Sequence, residues 1–152
     1  MIENSLNMVF MTDFAVDTVI IGAGVIGLAI ANELSSQKKE VLIIESEDDF
    51  GKKTSSRNSG VIHAGIYYKE NSLKSQLCVL GNKLLYEFCE ANHVPYLNTK
   101  KLLVASSHKQ ISIIDNIKNQ AEKNGVEGIQ KISKKESLKL EPLISCEEAL
   151  LV

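Results

Sequence analysis

Residues 17–27 read Asp-Thr-Val-Ile-Ile-Gly-Ala-Gly-Val-Ile-Gly, an apolar β-branched run followed by three spaced glycines. The run predicts a buried parallel strand over residues 17–22. After it, Ile26, Ile30 and Leu34 recur at four-residue intervals, which predicts a helix over residues 25–37. Residues 41–45, Val-Leu-Ile-Ile-Glu, predict a second buried strand. Strand, helix and strand together have the length of one βαβ unit.

The three glycines, Gly22, Gly24 and Gly27, stand in the G-x-G-x-x-G order typical of a dinucleotide site. Gly22 permits a tight turn, Gly24 lets the backbone approach a pyrophosphate, and Gly27 lets the helix pack on the strand. The helix also presents free N–H groups and a partial positive charge to a diphosphate at its first residues, Val25 and Ile26.

An acid closes the second strand. Glu45 lies 18 residues beyond Gly27, where a carboxylate can accept hydrogen bonds from ribose hydroxyls and repel a 2′-phosphate. The alternative is an ordinary strand-to-helix turn followed by a surface acid. The glycine pattern predicts a dinucleotide but does not by itself separate NAD from FAD.

A second stretch, residues 53–68, reads Lys-Thr-Ser-Ser-Arg-Asn-Ser-Gly-Val-Ile-His-Ala-Gly-Ile-Tyr-Tyr. Its hydroxyl, guanidinium and amide side chains can donate hydrogen bonds to phosphate oxygens, and its glycines allow a flat ring system to lie close. A solvated surface loop is the competing interpretation. Tyr67 and Tyr68 are expected to pack rather than to catalyse.

The remaining residues predict a mixture of helices and strands. Helices are predicted from Ser72, as N-cap, to about Asn92, over 108–123 before Gly125, and from a capping box at 133–136 to Pro142. Strands are predicted over 101–105, 128–132 and 148–152. The stripe of the long helix is predicted to be core; it consists of Leu73, Leu77, Leu80, Leu84 and Phe88.

Together, the glycine pattern, the acid at Glu45 and the stretch Thr-Ser-Ser-Arg-Asn-Ser-Gly-Val-Ile-His-Ala-Gly-Ile-Tyr-Tyr at 54–68 resemble the FAD-dependent oxidoreductases of the D-amino-acid-oxidase superfamily. Within it the sequence is most similar to the L-2-hydroxyglutarate dehydrogenase (oxidase) group. Further similarity lies in Ser-Leu-Lys at 72–74, residues 101–105, Asn-Gly-Val at 124–126 and Glu-Pro at 141–142. The likeness extends over residues 13–152.

This resemblance implies an α/β fold, with a Rossmann-like FAD-binding βαβ unit and part of an α+β substrate domain. It implies oxidation of a 2-hydroxy acid to the 2-oxo acid by hydride transfer to FAD, with electrons passing to a quinone or to oxygen. The glycines would face the diphosphate, together with Val25 and Ile26, and Glu45 would face the adenosine ribose. The diphosphate and ribityl chain would be lined by Thr54, Ser55, Ser56, Arg57 and Asn58, and the isoalloxazine ring approached by Ser59, Gly60 and His63.

His63 is the candidate catalytic residue, and three interpretations stay open. It can be a structural histidine packed between Ile62 and Ala64. It can polarise the flavin or help to take the substrate proton, since an imidazole titrates near neutral pH. It can also carry a covalent bond to the flavin, as a similarly placed histidine does in some relatives.

Composition excludes several classes of function. The net charge is −2 and the 17 Lys and Arg residues are scattered, so a nucleic-acid partner is disfavoured. The three cysteines, Cys78, Cys89 and Cys146, form no C-x-x-C pair and are expected to be buried, reduced thiols, so no metal site is predicted. No apolar run has the length of a membrane span, and the start of the chain is not typical of a signal peptide.

The expected organisation is a tail at 1–12, with translation beginning at Met11, then the FAD-binding part at 13–92 and the beginning of a substrate or cap domain at 93–152. The chain is expected to be the N-terminal portion of a longer protein, since the resemblance implies further strands and a late glycine-rich segment. The expected location is the cytoplasm, with peripheral contact at the inner face of the membrane left open. Two alternatives remain: a related flavoenzyme acting on an amine or on glycerol phosphate, and a non-catalytic nucleotide-binding module.

Overall fold

The computed structural model of the chain describes residues 15–152. The predicted tail at 1–12 and the predicted start at Met11 therefore lie outside the described residues. The chain divides into two compact units, Met1–Gly60 and Val61–Val152. The predicted division between 13–92 and 93–152 stays a prediction.

The first unit contains the βαβ arrangement that the glycine stretch predicts. Strand β1 spans Thr18–Ile21, helix α1 spans Val25–Ser36, and strand β2 spans Val41–Ile44. The two strands pair in parallel, with Thr18 opposite Val41 and Ile21 opposite Ile44. A short 3₁₀ helix, Thr54–Ser56, lies in the loop that follows. Parallel pairing through a helical crossover confirms the predicted unit.

The prediction that both strands are buried is wrong for the described structure. Burial alternates along each strand, and the side chains of Ile21 and Ile44 are 88% and 50% exposed. No residue of α1 is buried. The β-branched runs predicted burial on both faces of the sheet. In the described residues α1 packs against one face of the two strands, and the other face is left uncovered.

The second unit begins with a long helix and continues into a small sheet. Helix α2 spans Leu73–Ala91, α3 spans His108–Lys123 and α4 spans Lys134–Leu140. The strands are β3, Leu102–Ala105, β4, Gln130–Ser133, and β5, Glu148–Leu151. Their order is β3-β5-β4, and β5 pairs antiparallel with both neighbours. All the predicted helices and strands are present, with β4 displaced by one or two residues because Gly128 adopts a turn conformation with φ +76°.

The core of the second unit lies between α3 and the sheet. Ala105 and Leu150 are fully buried, and Ile114 of α3 is 4% exposed. Partly buried apolar side chains surround these three residues: Leu103, Ile111, Ile117, Ile129 and Val152. The central strand β5 is thus fixed by both pairing and packing.

The stripe of α2 is not a core, which corrects the prediction made from its spacing. Leu73, Leu77, Leu80, Leu84 and Phe88 are between 49% and 72% exposed. The buried residues of α2 are Ser75 and Cys89, on another face. Apolar periodicity shows which face is apolar, but it does not show what covers that face.

The predicted helix caps are present. The Ser72 hydroxyl accepts a hydrogen bond from the Ser75 amide at 3.2 Å. At α4 the capping box is complete, since Ser133 Oγ accepts from the Glu136 amide and Glu136 Oε2 accepts from the Ser133 amide. Gly125 follows the C-cap of α3 with φ +78°.

Among residues 15–152, no helix is both long and apolar enough to cross a membrane.

Candidate dinucleotide-binding site

The glycine-rich turn leaves no room for side chains at its last glycine. A Cβ on Gly27 would lie 2.0 Å from the Gly22 carbonyl oxygen and 3.3 Å from Cγ2 of Ile20. Gly22 itself has φ +103°, a conformation that L side chains rarely adopt. The first turn of α1 therefore packs directly on the end of β1, with backbone against backbone.

The N-terminus of α1 is partly occupied by a side chain of the same unit. Ser55 Oγ accepts a hydrogen bond from the Val25 amide at 2.9 Å. Gly24 is the N-cap, and a Cβ there would lie 3.2 Å from Ser55 Oγ. Within the described part of the chain, the amides of Ile26 and Gly27 have no acceptor. The helix therefore offers two N–H groups to an anion.

Glu45 is held against the glycine-rich turn. Its Oε2 accepts from the Ala23 amide at 2.6 Å, and its Oε1 accepts from the Ser46 and Glu47 amides at 2.7 and 3.1 Å and from the Ser46 hydroxyl at 3.1 Å. These bonds, the Ala23 amide first, lower the pKa of Glu45 from 4.5 to about 2. Oε2 keeps one lone pair for a further donor such as a ribose hydroxyl.

A cleft of about 330 Å³ lies beside these groups. Its lining combines the glycine-rich turn with the loop after β2: Gly22, Gly24, Glu45, Ser46, Glu47, Gly51, Lys52, Lys53, Thr54 and Ser55. Lys53 Nζ pairs with Glu47 at 2.8 Å, and this contact raises the pKa of Lys53. Lys52 also pairs with Asp48 and Asp49, so the positive charge that the cleft offers an anion comes mainly from the N-terminus of α1.

The predicted segment 54–60 divides into two parts. Thr54 and Ser55 line the cleft with Gly22, Gly24 and Glu45. The side chain of Arg57 instead donates to the carbonyls of Lys52 and Lys53, and Asn58 Nδ2 donates to the Ser55 carbonyl at 2.7 Å. Similarly, Ser56 Oγ donates to the Lys53 carbonyl, and Asn58 Oδ1 accepts from the Gly60 amide. The structure therefore does not bring Ser56, Arg57, Asn58, Ser59 or Gly60 into the lining.

His63 belongs to the second unit, where its backbone is bonded and its side chain is free. The His63 carbonyl accepts from Asn82 Nδ2 at 3.0 Å and from the Cys78 thiol at 3.6 Å. The residue is exposed, and its imidazole has no hydrogen bond among residues 15–152. The interpretation of His63 as a packed, hydrogen-bonded structural side chain is therefore not supported.

The two tyrosines after His63 lie beside lysines. Lys101 Nζ lies 5.6 Å from the ring centroid of Tyr67, and Lys74 Nζ lies 6.0 Å from that of Tyr68. Burial raises the pKa of Tyr67. Tyr67 is 60% exposed, so the prediction that both rings pack stays a prediction.

The cysteines are unpaired, as predicted. Cys89 and Cys146 are buried and Cys78 is half-buried, and all three are free thiols. Burial also raises the pKa of Cys78. No group of three or more potential metal ligands occurs among residues 15–152.

Several site residues were not predicted. Ser46, Glu47, Gly51, Lys52 and Lys53 line the cleft, and they stand in the polar loop after β2. Their position directly after the strand that ends at Glu45 was the available signal, because loops at the carboxyl ends of parallel strands form such sites. Asn82, which bonds the His63 segment, carried no sequence signal, and Asn124 was noted only as part of the family resemblance at 124–126.

Comparison with known proteins gives consistent results. The profile of the family of FAD-dependent oxidoreductases, DAO, matches residues 17–152. The chain is 46% identical over 136 residues to the mitochondrial L-2-hydroxyglutarate dehydrogenase of Arabidopsis thaliana, covering 90% of this chain and 28% of that protein. It is 40% identical over 128 residues to the human protein of the same name, covering 83% of this chain and 28% of the relative.

Solved structures resemble the same region. The L-α-glycerophosphate oxidase of Mycoplasma pneumoniae, solved with FAD bound, matches with a TM-score of 0.74 at 32% identity, over 90% of this chain and 37% of that one. An L-proline dehydrogenase from P. horikoshii matches with a TM-score of 0.72 at 20% identity, over 88% and 35% of the two chains, which shows a common fold. The chain thus spans less than a third of the length of the curated relatives it matches.

Proposed function

The chain belongs to the family of FAD-dependent oxidoreductases, and from this membership we propose that it builds the diphosphate and adenosine part of the flavin site in an enzyme that oxidises a 2-hydroxy acid. The observation that carries the proposal is the cleft in which the glycine-rich turn, the N-terminus of α1 and the Glu45 carboxylate meet. The relatives' names support L-2-hydroxyglutarate as the substrate.

The residues present fit the phosphate and ribose groups of such a cofactor. The amides of Ile26 and Gly27 have no acceptor in the described part of the chain, and the glycine at 24 leaves the space beside Ser55 Oγ free of a side chain. Glu45 Oε2 retains a lone pair for a ribose hydroxyl. Thr54 and Ser55 would contribute hydroxyls to the diphosphate. We propose Ser59, Gly60 and His63 for the flavin ring side.

FAD, when bound, supplies the electron-pair acceptor for the hydride that leaves the hydroxyl-bearing carbon of the substrate. The substrate's C–H bond breaks, its C–O bond becomes a carbonyl, and the hydroxyl proton must go to a base. We propose His63 as that base or as the group that holds the proton, because its exposed imidazole is free to accept one. We propose a quinone or oxygen as the final acceptor of the electrons.

A second candidate function has one specific observation in its favour. The solved structure of an L-α-glycerophosphate oxidase is 32% identical to this chain. Glycerol phosphate also carries a hydroxyl-bearing carbon beside an anionic group, so a flavin site of the same kind could serve it. The percentage identity to the 2-hydroxyglutarate enzymes is higher, and we therefore prefer the 2-hydroxy acid.

The test is turnover by the full-length protein with a dye acceptor and a panel of substrates. L-2-hydroxyglutarate is expected to be oxidised, while glycerol 3-phosphate and amino acids are not. A purified protein that carries no flavin, or that binds a nicotinamide cofactor instead, would refute the flavin proposal. Turnover of glycerol 3-phosphate alone would move the assignment to the second candidate.

The organisation and location of the protein are part of this proposal. We propose that residues 13–92 contribute to the FAD-binding domain and residues 93–152 begin the substrate or cap domain. We propose a cytoplasmic location and leave peripheral contact at the inner face of the membrane open. The relatives are named as mitochondrial proteins, so fractionation of cells that express the tagged full-length protein is the direct test.

A further inference from the structure

The segment that follows His63 is fixed by three side chains from two helices. Asn82 and Cys78 of α2 both donate to the His63 carbonyl, at 3.0 and 3.6 Å. Asn124, the C-cap of α3, donates from Nδ2 to the Gly65 carbonyl at 3.1 Å and to the Tyr68 carbonyl at 2.8 Å. Residues 63–68 therefore have three backbone carbonyls bound by side chains distant in sequence.

Packing restrains the same segment further. Gly65 has φ +88°, and a Cβ on it would lie 3.0 Å from Cγ2 of Val79 and 3.5 Å from Cβ of Cys78. Ile66 is 2% exposed. The backbone thus lies directly against α2 and cannot shift toward it.

The side chain that the segment presents is itself unrestrained. His63 is exposed, and its imidazole has no hydrogen-bond partner among the described residues. The backbone therefore fixes where the Cα and Cβ of His63 lie, and so the point about which its ring rotates, and that backbone is held by Cys78, Asn82 and Asn124. Proton transfer requires the donor and acceptor to be held within a few tenths of an ångström.

We propose that Asn82 and Asn124 are positioning residues that hold the backbone of residues 63–68 so that His63 reaches the reacting atoms. This inference rests on the proposed function, in particular on the role of His63. In this proposal the two asparagine amides act through the backbone of residues 63–68 and do not touch substrate or cofactor.

The test uses the full-length protein with its flavin. Asn82→Ala removes the donor to His63 in the middle of α2, where alanine is favourable for the helix. Asn124→Ala removes the two bonds that its amide donates to the Gly65 and Tyr68 carbonyls. Asn116→Ala is the matched control, because Asn116 lies on α3 and has no side-chain hydrogen bond among residues 15–152.

The expected results separate positioning from general damage. Asn82→Ala and Asn124→Ala should lower kcat by about ten- to a hundredfold, with KM changed by less than about twofold. Flavin content should stay at the wild-type level, and hydrogen exchange of peptides that cover residues 62–69 should become faster. Asn116→Ala should change none of these quantities. Because Asn124 also caps α3, Asn82→Ala decides the outcome if Asn124→Ala fails to fold.

A double-mutant comparison makes the test specific to His63. In a His63→Ala background, Asn82→Ala should cause no further loss of kcat, since the two residues act through one imidazole. Additive losses, or unchanged kcat in Asn82→Ala with faster exchange, would overturn the positioning role while leaving the proposed function intact. An unchanged kcat in His63→Ala alone would overturn both the role of His63 and this inference. Absence of any flavin or turnover in the wild type would overturn the proposed function itself.

Discussion

Gly27 is the residue whose substitution has the most direct steric consequence. A Cβ there meets the Gly22 carbonyl at 2.0 Å, a backbone atom that cannot rotate away. We expect Gly27→Ala to lower the free energy of unfolding of the full-length protein by about 1–3 kcal/mol, because it forces apart β1 and α1. Urea unfolding measures the change.

The control for that substitution is Gly81→Ala. Gly81 lies within α2, and a Cβ on it would meet nothing within 4 Å. Alanine is favoured over glycine in a helix, so Gly81→Ala should raise the free energy of unfolding by up to about 1 kcal/mol. If Gly27→Ala, like Gly81→Ala, left the free energy of unfolding undiminished, the close packing of the glycine-rich turn would be contradicted.

The lowered pKa of Glu45 predicts that the stability of the protein depends on pH. Its pKa is lowered in the folded protein from 4.5 to about 2, because the amides of Ala23, Glu47 and Ser46 favour the ionised form. The stabilisation is therefore complete above about pH 4.5 and is lost as the pH falls toward about 2. Wild type should be more stable than Glu45→Gln at pH 6, and the difference should shrink as the pH decreases.

Urea unfolding at several pH values between 6 and 2.5 checks this expectation. Glu127→Gln serves as the control, since Glu127 is exposed and has no side-chain hydrogen bond within the described residues. Other carboxylates titrate equally in all three proteins, so their effect cancels in the comparison. A Glu45→Gln difference that does not vary with pH would show that the Ala23 contact does not hold in solution.

The same substitution is expected to weaken cofactor binding. A hydrogen bond to a charged group is worth roughly a tenfold to hundredfold change in affinity. Glu45→Gln should therefore raise the Kd of the full-length protein for FAD, measured by flavin fluorescence, by at least about tenfold. Gly24→Val should abolish retention of FAD, since its side chain would extend past the Cβ position that lies 3.2 Å from Ser55 Oγ.

Which of these residue contacts could be predicted depends on their separation in sequence. The glycine-rich turn and the acid at the end of the second strand are local sequence patterns. In the structure the glycines form the turn before α1, and Glu45 contacts that turn as the pattern predicts. The bond from the Val25 amide to Ser55 Oγ joins residues 30 positions apart, and that from Asn124 to Gly65 joins residues 59 apart. No spacing rule specifies such contacts, because they depend on how the elements pack.

At the scale of elements, the capping box at the start of α4 allows a direct test of how much a helix cap stabilises the protein. Ser133→Ala removes the hydroxyl that accepts from the Glu136 amide and should cost about 1 kcal/mol of stability. Ser107→Ala is the matched control, since Ser107 also stands at a helix N-cap but makes no side-chain cap bond. It should change stability by less than about 0.5 kcal/mol. Thermal unfolding measures the stability of the two variants. Equal losses of stability would contradict the cap geometry at Ser133.

The apolar stripe of α2 shows why element type was predictable and element burial was not. The spacing of Leu73, Leu77 and Leu80 determines that they share a face, and that holds in the structure. Whether the face is covered depends on other parts of the molecule, which the stripe does not encode. In the described residues these side chains are more than half exposed.

At the scale of the whole molecule, the exposed apolar faces predict the behaviour of the 152 residues expressed by themselves. Ile21 and Ile26 are 88% and 72% exposed, and a comparable stripe runs along α2. Such surfaces bind apolar dyes and promote association. We expect poor solubility, strong binding of a fluorescent apolar dye and no oxidation of any 2-hydroxy acid. Steady turnover of L-2-hydroxyglutarate by this chain with a dye acceptor would contradict the expectation.

The order of strands in the second unit has a consequence for synthesis on the ribosome. The central strand β5 is the last of the three to be made, and within residues 15–152 both β3 and β4 pair with it alone. While α3, β4 and α4 emerge, β3 has no partner strand, whereas β1 and β2 of the first unit can pair once residue 44 is out. The first unit can therefore fold during translation, as N-terminal units generally do. Within the described residues, the three-stranded sheet of the second unit can form only after Glu148–Leu151 leaves the ribosomal tunnel, because β5 lies between β3 and β4.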